Sequence, residues 1–141
     1  MTERELNEVR DLRDKIREKE WHAETLRRTA DDLVPVRDGL PKDKTPHSRV
    51  ESLIVKVRTL EQEADNLRGE MAEAAIRLTD KLSATLKGQE LQVMTLRYVN
   101  CQRFLDIQEA LDLSDARVFY LHRQALKKLK SNNSKVTVEV Q

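Results

Sequence analysis

The side chains of this chain with the widest chemical range are three histidines, His22, His47 and His122, and one cysteine, Cys101. A zinc site draws such ligands together at short, regular spacings. Here the three histidines fall in different segments, and no cysteine or carboxylate stands near them at metal spacing. Cys101 as a catalytic thiol would need a base positioned beside it, and the sequence offers none. Asp31-Asp32 ends a stretch that is charged throughout, so the pair reads as solvated surface. No glycine-rich phosphate loop occurs. The expectation is a protein without catalytic residues, metal ligands or cofactor.

Binding chemistry is better represented. From Ser114 to Lys135 the chain carries Arg117, Arg123, Lys127, Lys128, Lys130 and Lys135 against the single acid Asp115, a local charge of +5 in a chain whose net charge is +1. A basic stripe of this kind is a first footprint of nucleic-acid binding. Arg117, Tyr120, Arg123, Gln124 and Lys127 lie opposite the apolar positions of the same stretch. They are suitable types: cations for phosphates, Arg or Gln for base edges. Arg103 joins them as a candidate DNA contact.

The elements that position these residues are set by periodicity. All three prolines and Gly39 lie within VPVRDGLPKDKTPH, a breaker cluster between two long periodic stretches. The first runs from about Glu3 to Leu33, with Thr2 and Glu5 as a capping box. Its seam is Val9, Leu12, Ile16, Ala23, Leu26, Ala30 and Leu33 at alternating three- and four-residue spacing. Lys19 interrupts the seam at a position where its stem can pack while the amine reaches out. The second begins near Ser48, paired with Glu51 in the same capping pattern. It continues through Val50, Leu53, Val57, Leu60, Ala64, Leu67, Met71, Ala74 and Leu78.

Two heptad helices joined by one loop (about 34–47) predict an antiparallel coiled-coil hairpin over residues 1–86. With 36% charged residues, 4% aromatics and three glycines, the composition predicts an elongated rather than a compact shape. Several seam positions are alanine, so the hairpin alone buries little, and self-association into a four-helix bundle is the expected remedy. Gly69 inside the second helix suggests close packing or a bend. Trp21 lies about 140° from the seam at 100° per residue. Trp21, Leu26, Leu60 and Leu67 are the expected oligomerisation or partner contacts.

Residues 87–130 differ in kind, with shorter spacings and larger core residues. They predict helices at about Gln89–Val99, Arg103–Leu111 and Asp115–Lys130, with Ser114 as the last N-cap. Val118, Leu121, Ala125, Leu126 and Leu129 are expected to pack on Ile107, Ala110 and Leu111, and on Val93, Met94 and Leu96. Asp112-Leu113-Ser114 is then the turn of a helix-turn-helix, a unit that places the start of its second helix in the major groove. The fold expected is all-α. Residues 131–141 are expected to form a flexible tail.

The stretch LKGQELQVMTLRY resembles the opening of the C-terminal, promoter-reading region of bacterial sigma factors, with its L-x-P-x-E-x-x-V-L-x-L-R-Y pattern. Leu86, Glu90, Val93, Leu96, Arg97 and Tyr98 match; Gly88 stands for the proline and Met94 for a leucine. The segment from Ile107 to Leu129 is similar to I-x-x-x-L-G-x-S-x-x-x-V-x-x-x-x-x-x-A-L-x-K-L. It matches at Ile107, Leu111, Ser114, Val118, Ala125, Leu126, Lys128 and Leu129, with Asp112 at the turn glycine. The whole chain is similar to small phage and prophage proteins of Gram-positive bacteria, the relatives of ArpU- and RinA-type late transcription regulators. That resemblance implies double-stranded DNA as partner, a homodimer and control of phage transcription, with RNA polymerase a further candidate partner. Sigma factors place polar promoter-reading residues where this chain has Asp115, Ala116, Phe119 and Tyr120, so any base preference should differ from theirs. The alternative is a protein-binding adaptor on a sigma-like scaffold, docking through Phe119, Tyr120 or Trp21. The single cysteine fits a reducing cytoplasm, here that of the bacterial host. No apolar run approaches the roughly 18 residues a membrane span needs.

Overall fold

The heptad spacing and the Thr2 cap produce the first helix where they predict it. In the computed structural model, which describes residues 1–33 and 44–140 (with side chains for 1–33 and 49–131), α1 spans Glu3–Leu33. The Glu5 amide donates to Thr2 Oγ1 at 3.1 Å, satisfying one of the orphan donors of a helix N-terminus. Four more helices come after it: α2 Lys44–Thr85, α3 Gly88–Met94, α4 Phe104–Leu111 and α5 Asp115–Val140. A π-helical segment, Thr95–Val99, continues α3. The described residues are all-helical, without a strand. The expected breaker residues Pro35, Gly39 and Pro41 lie outside the described residues.

Two boundaries differ from expectation. α2 starts at Lys44 rather than at the Ser48 cap. Pro46 does not prevent this, because it falls in the first turn, where backbone N–H groups lack intrahelical partners anyway. α5 continues past Lys130 to Val140. After Lys130 the chain holds weak helix formers such as Asn132 and Asn133 but no Gly or Pro to stop it.

The described chain forms two compact units. One comprises Leu12–Glu70, the other Met1–Asp11 together with Met71–Gln141. The first holds the middle of the heptad seams. Ala23, Val57 and Leu60 form its buried cluster, with Leu26 packed on it, and Ile16, Ala30 and Ala64 are buried too. Ion pairs fix the register: Lys19 Nζ to Glu63 at 3.2 Å, Arg27 to Glu61 at 2.6 Å, and Arg68 to Glu20. Within this unit α1 and α2 therefore run antiparallel. Lys19 behaves as its seam position requires, half-buried along its stem with its amine on a carboxylate. The Arg27 and Arg68 pairs are exposed and the Lys19 pair is only partly buried, so each contributes about 1 kcal/mol or less. Gly69 is exposed, and a Cβ added there would meet nothing within 4 Å. Of the close packing or bend expected there, close packing does not occur among the described residues.

The second unit is larger than the 87–130 block expected from the sequence. The first turns of α1 belong to it: Leu6 and Val9 are buried, and Leu6 lines one cavity with Tyr98, Leu126 and Leu129. The end of α2 also belongs to it, with Ala74, Leu78 and Leu82 buried. Arg77 bonds Glu8 at 2.5 Å and Lys81 bonds Glu5 at 3.1 Å, again an antiparallel register. The Lys81 hydrogen bond holds the Glu5 carboxyl below its usual pKa. In α3–α5, Val93, Ile107, Val118 and Leu121 form the buried cluster, flanked by Leu96, Phe104, Leu111 and Leu113. Ala110, expected in that core, is exposed. At 100° per residue it lies about 90° from the centre of the stripe formed by Phe104, Ile107 and Leu111.

Candidate nucleic-acid interface

One left-handed residue sets up α5, and another opens α3. Helix α4 ends on Asp112, which takes the left-handed conformation at φ 54, ψ 50. The Leu113 amide then donates to Gln108 O at 3.0 Å, and Leu113 turns back onto the core. This is the Schellman way of closing a helix, which favours glycine at the left-handed position. Asp adopts it at a modest cost. Asp112→Gly is expected to stabilise the protein by about 0.5–1 kcal/mol, read as a raised thermal midpoint; an unchanged or lowered midpoint contradicts this account of the turn. Gly88, at the start of α3, has φ +62. Proline is locked near −65°, so the sigma-like proline has no place in this backbone.

Ser114 caps α5 as expected, its Oγ accepting the Arg117 amide at 3.2 Å. The Asp115 carboxylate accepts the Ala116 amide at 2.7 Å. That carboxylate suits the positive end of the helix dipole and is turned to the helix's own backbone. Val118, Leu121, Ala125 and Leu129 are buried. Arg117, Tyr120, Arg123 and Lys127 are exposed on the outer side, and Gln124 is half-buried. The Arg117 guanidinium carbon lies 5.4 Å from the centroid of the Tyr120 ring. Lys128, also exposed, is paired with Glu90 of α3 at 2.6 Å. Arg103 stands apart from this group: its Nε and Nη2 each reach the Asp106 carboxylate at 3.2 Å, at the start of α4. That pairing draws the Asp106 pKa down.

Beside the outer face, and reaching it at Phe119, lies an aromatic cluster that local sequence does not reveal. The π-helical turn brings Tyr98 Oη within 2.7 Å of His122 Nε2. It also lays the Arg97 guanidinium over the Phe104 ring at 4.2 Å. His122 meets the edge of Phe104 at 5.1 Å, and Phe104 touches Phe119 at 4.8 Å. Phe119 and His122 are three apart and so share one side of α5. Their partners on α3 and α4 depend on the register of three helices, which no local spacing encodes.

Burial, reinforced by the Arg97 charge, holds the His122 imidazole below its ordinary pKa. In the unfolded chain the ring titrates near about 6.5. Above that pH both states are neutral and the stability is complete. As pH falls below it, the unfolded chain takes up a proton that the folded chain resists, and stability declines until the folded pKa is passed. The thermal midpoint of the wild-type chain should therefore drop more between about pH 7 and about pH 5 than that of His122→Gln. Parallel curves would remove His122 as the cause.

The four expected oligomerisation or partner contacts divide. Leu60 is buried in the chain's own helix pair, Leu26 packs against that cluster and Leu67 is half-buried. Trp21 is 64% exposed and touches only His22 among described aromatic rings, at 5.2 Å. His47 lies outside the described side chains; among the described residues no group of three or more His, Cys, Asp or Glu could hold a metal ion. No helix among them is long and apolar enough to cross a membrane. Comparison with models of protein families, with characterised proteins and with solved structures gives no match at any of the three levels.

Proposed function

We propose that this protein is a phage-type, DNA-binding transcription regulator, non-catalytic and without cofactor, that acts in the cytoplasm of a bacterial host. In this reading residues 1–86 form a helical hairpin that dimerises and sets the spacing of two half-sites. The α4–turn–α5 unit is the helix-turn-helix, and α5 enters the major groove. The observation that carries it is the two-sidedness of α5. Its buried side is Val118, Leu121, Ala125 and Leu129, while Arg117, Tyr120, Arg123 and Lys127 stand exposed on the other. Gln124 at the edge of that face can reach a base edge, and Arg103, paired with Asp106, is at most a peripheral phosphate contact.

A second reading is favoured by a different observation. Leu105, Phe119 and Tyr120 are exposed large apolar residues, as on a protein-docking surface. The chain would then be an adaptor for RNA polymerase or another host protein. Titrating isotope-labelled protein with a duplex of about two helical turns separates the two by NMR. The regulator should show amide shifts concentrated between Ser114 and Lys130. A spectrum unchanged by saturating DNA would sink the regulator and leave the adaptor.

A further inference from the structure

In the leading turns of α5 the side chains opposite the buried stripe are mainly apolar, with Arg117 on their flank. Ala116, Phe119, Tyr120, Arg123 and Lys127 recur at three- and four-residue spacing. At 100° per residue they share an arc of about 100°, opposite the buried stripe. All five are exposed, Phe119 and Tyr120 at 46% each. The polar side chains at the tip are engaged within α5: Ser114 and Asp115 accept the amides of Arg117 and Ala116, and the Arg117 guanidinium carbon lies 5.4 Å from the Tyr120 ring centroid. The outward face is therefore a methyl group and two aromatic rings at the tip, one of them bearing a hydroxyl, flanked by Arg117 and continued by two cations.

In the major groove the bases differ in their donors and acceptors, and thymine alone carries a 5-methyl group. An apolar tip gains nothing from guanine's acceptors or from the amino group of adenine or cytosine, and would strip water from them without replacement. It gains from covering methyl groups. We infer that α5 selects DNA by its thymine methyls: Ala116 and Phe119 cover the 5-methyl groups of neighbouring thymines, while Arg123 and Lys127 hold the flanking phosphates. This rests on the reading of α5 as a DNA-binding helix. Charge complementarity favours a duplex over an apolar peptide as the occupant, since the cations lie on the same face as the rings.

The test uses the full chain and changes only the DNA. A random-sequence duplex library is enriched by binding, and the winning duplex is synthesised with thymidine and again with deoxyuridine, which pairs identically but lacks the methyl. Adjacent thymines should be enriched. Affinity should fall about fourfold for each contacted methyl replaced, or roughly fifteenfold for two, the equivalent of ~0.8 kcal/mol per methyl. In Ala116→Gly, an exposed position, the penalty should shrink. Equal binding of the two duplexes overturns methyl readout and leaves DNA binding standing. Absence of any duplex binding overturns both and assigns the apolar tip to a protein.

Discussion

Ile107→Ala is expected to lower folding stability by about 2–5 kcal/mol. Ile107 is 0% exposed and shares its cluster with Val93 of α3 and with Val118 and Leu121 of α5. It is the fully buried residue of α4 in the cluster where the three helices meet. Truncation removes its transfer energy and leaves a cavity that three helices cannot all close upon. A small domain has about 5–15 kcal/mol in total, so the loss is a large share. Leu105→Ala, two residues away on the same helix but 54% exposed, should change stability by no more than about 0.5 kcal/mol. Amide hydrogen exchange in α4 and α5 is the appropriate readout. The only tryptophan, Trp21, sits in the other compact unit, so its fluorescence would report the wrong region. Equal exchange rates in the two variants would contradict this packing of α4.

The second large effect is on binding. Arg117→Ala with Arg123→Ala should reduce affinity for duplex DNA by about 10–100-fold at about 0.1 M salt, because each phosphate contact releases roughly one counterion. The plot of log affinity against log salt should become shallower by about two. Both side chains are exposed, and the lost Arg117–Tyr120 contact is worth only about 0.5–1 kcal/mol, so the fold should survive. Unchanged affinity with an intact circular dichroism spectrum would favour the adaptor.

Much of this architecture is legible in local sequence. The bounds of α1 come from the Thr2 cap and the seam from Val9 onward, though Leu6, one step earlier on the same stripe, is buried as well. The break at Gly88, the Ser114 cap and the buried stripe of α5 come from residue types whose backbone or spacing preferences are strong. What local sequence does not carry depends on contacts between distant segments. The pairing of Tyr98 with His122 and of Arg97 with Phe104 needs the π-helical turn, for which TLRYV has no distinguishing composition. The grouping of Leu6 with Leu126 and Leu129 needs the start of α1 placed beside α5. Arg103 has the look of an available cation in sequence, yet Asp106, three residues on, is its partner. A stripe wide enough to put Ala110 in the core is wider than the face α4 buries. Ser48 suits a capping role only if Pro46 is a stop, whereas a helix tolerates proline in its first turn.

The most direct measurement is equilibrium binding of the full chain to duplex DNA from its own genomic neighbourhood, repeated across a series of salt concentrations. With Arg117, Arg123 and Lys127 each on a phosphate, log affinity should fall against log salt with a slope of about −2.7 or steeper, and one fragment should be bound above the non-specific level. Binding no tighter than that level even at low salt, or an affinity indifferent to salt, would contradict α5 as a DNA-binding helix.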